Sequence, residues 1–286
     1  MSNGSENTVE STLFTTGYCR QIERFTRRDA PWRMNTFDAL VVLIHHPRIG
    51  YLLFDTGYAT HFFTETSCFP YSLYRAITPV IFSKRDALVS QLNERGIPAT
   101  AIRFIFLSHF HGDHIAGVRD FPDAVFICSQ EAYQHIRDKR GLAAVRKGFV
   151  PGLLPPDFSK RVRFIEDGKR YPFQEVYGVF DPVYDLFGDE SLLAVRLSGH
   201  APGQYGLFFT DRIAGPTLLC ADAAWSMEAI RNQSEPHPFT YAVMGGKKEY
   251  RRHFQQLVAF HQTQPQVRIL PSHCPEARSI AKGGER

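Results

Sequence analysis

The sequence predicts an α/β domain in which helices lie outside two packed β-sheets. Three observations predict it. Continuous apolar runs ending in turn residues open the chain's ordered part, strand and helix patterns then alternate, and a succession of short strands precedes one long helix and a last short strand. Each sheet has to bury a face, and helices laid outside a pair of sheets are one stable way to do so. At 286 residues the chain can bury a large core without disulfides or metal staples, so one domain over residues 1–286 is expected.

Taken in order, residues 1–12 are polar and are expected to be loose. "FDALVVLIHHPRIGYLLFDTG" reads as two strands, 39–44 and 51–54, joined by a turn at 47–50. Their unbroken apolar character implies cover on both faces. Residues 59–82 crowd aromatic side chains between irregular breaks, as a helix and loop folded on the core or as the apolar wall of a pocket. Ala87, Leu88 and Leu92 stand at helical spacing ahead of a stop at Gly96. Strand 103–108, strand 124–129 and helix 130–139 follow. Residues 141–161 carry three prolines and three glycines with little period, and are expected to form a surface excursion near the pocket. Short strands are then expected at 162–167, 175–188, 192–199, 204–210 and 217–225, with a helix over 247–263 and a strand over 267–273.

Composition excludes several classes. Hydrophobic residues at 43% and charged residues at 22% argue against global disorder and against membrane spanning. The net charge of +4, from 33 basic and 29 acidic residues, is too mild and too dispersed for a nucleic-acid footprint. Five cysteines without a C-x-x-C pair suit a reducing compartment rather than a disulfide scaffold. The N-terminus has no basic region followed by an apolar run, so a cytoplasmic enzyme is the expectation.

The stretch "FLSHFHGDHIAG" holds His109, His111, Asp113 and His114 within six positions. On an extended backbone His109 and His111 point the same way, and Gly112 permits the turn that returns Asp113 and His114 to the same space. Such a group can place two nitrogens on one ion and an oxygen and a nitrogen on a second. Imidazole sites want three or four protein ligands per zinc, so further ligands are required. His200, Asp222 and His273 each close a strand pattern and are candidates to supply them.

These residues carry a resemblance. The H-x-H-x-D-H signature at 109–114, the G-H-x-P-G turn at 199–203, Asp222, His273 and the early Asp55-Thr56-Gly57 are similar to the metallo-β-lactamase-fold hydrolase superfamily, over residues 38–274. The resemblance implies a four-layer αββα sandwich. It implies two Zn²⁺ ions, with iron, manganese or cobalt as other occupants. His109, His111 and His200 would hold one ion and Asp113, His114 and His273 the other, with Asp222 and a hydroxide bridging. Asp113 and Asp222 would be the catalytic carboxylates, and Asp55 would orient a ligand imidazole from behind.

Within the superfamily, His111 disfavours the diiron flavoprotein branch, which places glutamate there. The short stretch after His273 disfavours glyoxalase-type thioesterases, and the lack of basic arms disfavours RNA-processing members. The chain resembles most the N-acyl homoserine lactonase-like group, which implies opening of a carboxylic ester, a small-molecule lactone with an apolar tail. Phe62, Phe63, Phe69, Tyr71 and Tyr74 are candidates for one pocket wall and Phe149 and Leu153 for another, with Trp225 an eighth pocket candidate. Lactonases of that group carry tyrosine three residues after the bridging aspartate, where this chain has Trp225. Indole donates a hydrogen bond but is no acid at neutral pH, so either another hydroxyl, such as Tyr18, Tyr184 or Tyr205, takes over or the substrate is not a homoserine lactone. Thioester or phosphodiester hydrolysis on the same metals, and a non-catalytic binding module, are the alternatives.

Overall fold

The computed structural model describes residues 7–242 and 244–283. In chain order the strands are β1 (Thr8–Ile22), β2 (Met34–His46), β3 (Gly50–Phe54), β4 (Val80–Ile81), β5 (Ile102–Phe106), β6 (Val125–Cys128), β7 (Val162–Phe164), β8 (Lys169–Arg170), β9 (Val183–Asp185), β10 (Leu192–Arg196), β11 (Tyr205–Asp211), β12 (Gly215–Ala221) and β13 (Arg268–Pro271). One sheet runs β7-β6-β5-β3-β2-β1, with β4 on the far end of β1; the other runs β8-β9-β10-β11-β12-β13. They meet where the start of β1 pairs in parallel with β11, Thr8 opposite Thr210 and Val9 opposite Asp211.

Strand β2 explains the layering. Leu40, Val42 and Ile44 enter the core between the sheets, packing with Val195, Leu207 and Leu219 of the second sheet. Ala39, Val41 and Leu43 point the other way, against Leu88 and Leu92 of the helix Leu88–Glu94 and Ala132 and Ile136 of the helix Gln130–Ile136. A period of two with both faces apolar gives the continuous run seen in the sequence. The helix Lys247–Thr263 covers the second sheet through Phe254, Leu257 and Phe260. Helix, sheet, sheet, helix is the four-layer αββα order.

Three expectations change. Residues 8–12 are not loose but begin β1, whose edges pair with β11 and β2; residues 1–6 lie outside the described residues. Their polar residues mislead because alternate positions only need to be buried: Val9 and Leu13 face the core while Glu10 is exposed. Residues 175–188 are not one strand: the helix Phe173–Tyr177 precedes β9, because Phe173, Tyr177 and Phe180 cluster with Phe208 and Phe260. Residues 141–161 are a surface excursion only in part, exposed at Leu142, Lys147 and Asp157 but anchored from within. They form short helical turns, and Ala144, Phe149, Val150, Leu153 and Phe158 are buried in the outer core of the first sheet.

Candidate metal centre

Five strand ends deliver the candidate residues to one place. Asp55 follows β3, His109 and His111 follow β5, His200 follows β10, Asp222 follows β12 and His273 follows β13. Parallel pairing does the collecting, since parallel neighbours end side by side. Phe54 pairs with Phe106, so Asp55 comes beside Ser108; Ala221 pairs with Pro271, so Asp222 comes beside His273. The one-turn helix Gly112–Ile115 then turns Asp113 and His114 back towards the strand ends. The opposite sheet is held to this face by Tyr205 N–H donating to Ser108 O at 3.1 Å.

The cluster is held from behind by a hydrogen-bonded relay. Asp55, fully buried, accepts from His114 Nδ1 at 2.7 Å, from Ser108 N–H at 2.8 Å and from Ser108 Oγ at 2.7 Å. Having given its only proton to Asp55, Ser108 Oγ is left to accept from His109 Nδ1, 3.0 Å away. His273 Nδ1 likewise donates to Asp38 O at 2.7 Å. In all three imidazoles the bond at Nδ1 turns Nε2 forward. Ser108 escaped the sequence reading; its signal is only that it precedes His109. Trp225 Nε1–H donates to Asp222 Oδ2 at 3.0 Å, which fixes that carboxylate from the other side.

Forward of this relay the ligand atoms converge. His111 Nδ1 lies 2.9 Å from His200 Nε2; Asp222 Oδ2 lies 3.3 Å from both His200 Nε2 and His273 Nε2. Asp113 Oδ2 lies 3.4 Å from His273 Nε2 and 3.7 Å from His114 Nε2, which is itself 3.4 Å from Asp222 Oδ1. Three overlapping triads result: His109–His111–His200, His109–His114–Asp222 and Asp113–His114–His273. Zinc–nitrogen bonds of about 2.0–2.1 Å in a tetrahedron set ligand atoms about 3.3 Å apart, so these separations fit. The buried His109 Nε2, His114 Nε2 and Asp222 Oδ1 have no hydrogen-bond partner among the described residues. Buried polar atoms normally have one, and lone pairs aimed at a common point fit cations. The donor set therefore suits divalent metal ions.

Charge in the cluster is strongly polarised. Burial holds the His200 imidazole down to about 3, and His109 and His111 are lowered for the same first reason. All three are pushed towards the neutral form that a metal ligand needs. Burial also opposes the charged form of His273, but Asp222 and Asp113 outweigh it and raise that imidazole to about 9. Asp222 responds in the opposite sense: burial raises it, while His273, His114 and His200 together bring it well below the usual carboxylate range.

The cluster floors a cavity of about 330 Å³. His111, Asp113, His200, Asp222 and His273 form its base, and Phe25, Phe37, Tyr58, Tyr74, Trp225 and Phe239 form most of its aromatic wall. Of the eight pocket residues expected from sequence, Tyr74 and Trp225 line it. Phe62 is completely buried behind Tyr74, with ring centroids 5.6 Å apart, and Phe63 stacks on Phe82. Phe69 is 71% exposed away from the cavity lining, and the Tyr71 hydroxyl accepts from Gly141 N–H. Phe149 and Leu153 belong to the core. Tyr184 and Tyr205 pair with each other beside Arg196 in a different depression, and Tyr18 is not in the cavity lining. The substituted wall comes from residues 25–37 and 239–240, where no period marks a pocket.

The 141–161 segment contributes in another way. Gly148, at φ 61°, lies against the His111 ring, and a Cβ there would stand 2.5 Å from His111 Cδ2. We expect Gly148→Ala to displace His111 and to lower the metal content by up to one equivalent with the fold retained. Metal analysis paired with a thermal unfolding curve checks it; a fully loaded variant would count against the contact.

Frame and cluster together define a metal-dependent hydrolase. Residues 35–262 match the family described as the metallo-beta-lactamase superfamily. The N-acyl homoserine lactonase AttM of Azorhizobium caulinodans is 27% identical over 197 residues, covering 68% of each chain. The lactonase AttM of Rhizobium radiobacter is 26% identical over 194 residues, again 68% of each. Among solved structures, an N-acyl homoserine lactone hydrolase with N-hexanoyl-L-homoserine at its catalytic metal center has a TM-score of 0.73 at 17% identity, over 96% of both chains. Hydrolase AbOPH of the beta lactamase superfamily has 0.64 at 16% identity, over 96% of this chain and 89% of its own. The chain belongs to the metallo-beta-lactamase superfamily.

Proposed function

We propose that this enzyme opens carboxylic esters, lactones with an apolar tail above all, at a dinuclear centre held by His109, His111, Asp113, His114, His200, Asp222 and His273. The observation that carries the reading is the set of convergent imidazole and carboxylate atoms at the floor of an aromatic cavity. When bound, two zinc ions supply Lewis acidity and bring the pKa of a shared water towards about 7. Iron, manganese and cobalt suit the same donors.

The chain's own residues do the rest. Asp55 and Ser108 hold His114 and His109 in the tautomer that leaves Nε2 free. Trp225 holds the Asp222 carboxylate. Phe25, Phe37, Tyr58 and Phe239 line the cavity above, where they exclude water and seat an apolar tail. The lining carries no lysine or arginine among the described residues, which favours an uncharged ester over a phosphodiester. The names of the AttM relatives support a lactone within the ester class. A cytoplasmic setting accords with the five free thiols. No helix among the described residues is long and apolar enough to cross a membrane.

Metal analysis with a panel of lactones, thioesters and bis-p-nitrophenyl phosphate tests the reading. Two metal equivalents and the highest kcat/KM on a long-tailed lactone are expected; fewer than one equivalent, or preference for the phosphodiester, overturns it. Phe239, at the cavity mouth, is 74% exposed. Phe239→Ala is expected to raise KM for long-tailed substrates by roughly fivefold, about 1 kcal/mol of lost apolar contact, and to leave short-tailed ones unaffected. Equal effects on both tail lengths would remove Phe239 from the tail's path.

A further inference from the structure

Resting on the ester-hydrolase reading, we propose that the Tyr74 hydroxyl is the hydrogen-bond donor that meets the departing oxygen of the substrate. An ester's acyl C–O bond breaks with its electron pair left on the departing oxygen. A donor placed there stabilises the charge as it develops. The proton that completes the alcohol comes from the attacking water, so Tyr74 is unchanged after each turnover.

Thr78 aside, the hydroxyl, amide and indole donors of the cavity lining are engaged elsewhere. The indole of Trp225 has a single N–H, and Asp222 Oδ2 accepts it at 3.0 Å. Thr26 Oγ1 donates to Glu23 O at 2.8 Å and Thr240 Oγ1 to Phe25 O at 2.7 Å. The Gln21 side-chain amide is directed at Ile77 O, 3.4 Å away. Tyr58 is 1% exposed, with its hydroxyl against Cys19.

Tyr74 is placed differently. Its hydroxyl accepts from the Gly112 N–H at 3.2 Å, and Gly112 is the residue between His111 and Asp113. That bond occupies a lone pair on the phenol oxygen and leaves the proton free. The ring packs against the turn, since a Cβ on Gly112 would stand 3.3 Å from Tyr74 Cε1. Tyr74 lines the cavity with His111 and Asp113, so its hydroxyl stands beside the floor where the ester must sit.

Tyr74→Phe keeps the ring and removes only the donor. The test compares a lactone with the p-nitrophenyl ester of the same acyl group, because p-nitrophenolate leaves without help from a donor. Loss of kcat/KM on the order of 100-fold on the lactone is expected, against less than about threefold on the p-nitrophenyl ester. Two metal equivalents should remain, and the ring-opened hydroxy acid should bind about tenfold more weakly. Equal losses on the two substrates, or no loss on the lactone, overturn the proposal. A leaving-group-dependent loss in Thr78→Val with none in Tyr74→Phe would move the donor to Thr78 and overturn it as well. If the metal-loaded wild type cleaves neither ester, the ester reading itself has failed and the role of Tyr74 falls with it.

Discussion

Replacing His111 with alanine is expected to remove hydrolysis together with at least one metal equivalent. His111 Nδ1 faces His200 Nε2 across 2.9 Å, in a triad completed by His109. Two histidines alone make a poor zinc site, since structural and catalytic sites use three or four protein ligands. The rate should fall on the order of 10³-fold or more, about 4 kcal/mol of transition-state stabilisation. Metal quantitation beside single-turnover kinetics reads both effects. A variant that is metal-poor yet fully active would end the metal-centred reading.

Asp55→Asn should produce the next largest effect, although Asp55 touches no ion in the proposed arrangement. The carboxylate accepts from His114 Nδ1, Ser108 N–H and Ser108 Oγ at once. An amide of the same shape has one oxygen, and its NH₂ must stand in for Oδ2, which faces both His114 Nδ1 and Ser108 Oγ, or for Oδ1, which faces the Ser108 N–H. In place of Oδ2, it favours the His114 tautomer with the proton on Nε2, which cannot bind a cation. In place of Oδ1, it sets two donors against each other and pushes the side chain out of its seat behind His114. Either way the hold on His114 is weakened, and metal affinity should fall about 10- to 100-fold. Competition against a chelator measures it. Unchanged affinity would show that the backbone alone orients the two imidazoles.

How much of this was readable beforehand depends on how local the information is. The unbroken run at 39–44 announced a strand covered on both faces, and β2 divides its side chains between the two core layers as that reading requires. The helix Lys247–Thr263 was readable to the residue. The start of β1 was hidden, because an alternating strand with polar residues between Val9 and Leu13 looks like any polar tail. The pocket was hidden more deeply. Residues 61–82 and 149–153 are aromatic and apolar in sequence, yet Phe62, Phe149 and Leu153 serve as core beneath the site. Composition tells that an aromatic ring will be buried somewhere, not which side of a turn it will face.

The candidate ligand set was legible in the sequence because its parts are short-range: H-x-H-x-D-H is a single strand end and turn, and His200, Asp222 and His273 each follow a strand. Tertiary structure decided the rest. It brought residues 25–37, which lead into β2, against residues 239–240 to make the cavity wall, a contact across some two hundred positions that no local pattern encodes. It also settled Trp225, whose indole is bound to Asp222. Ligand identity follows from chain neighbours, whereas the direction in which each donor points is set by what packs behind it.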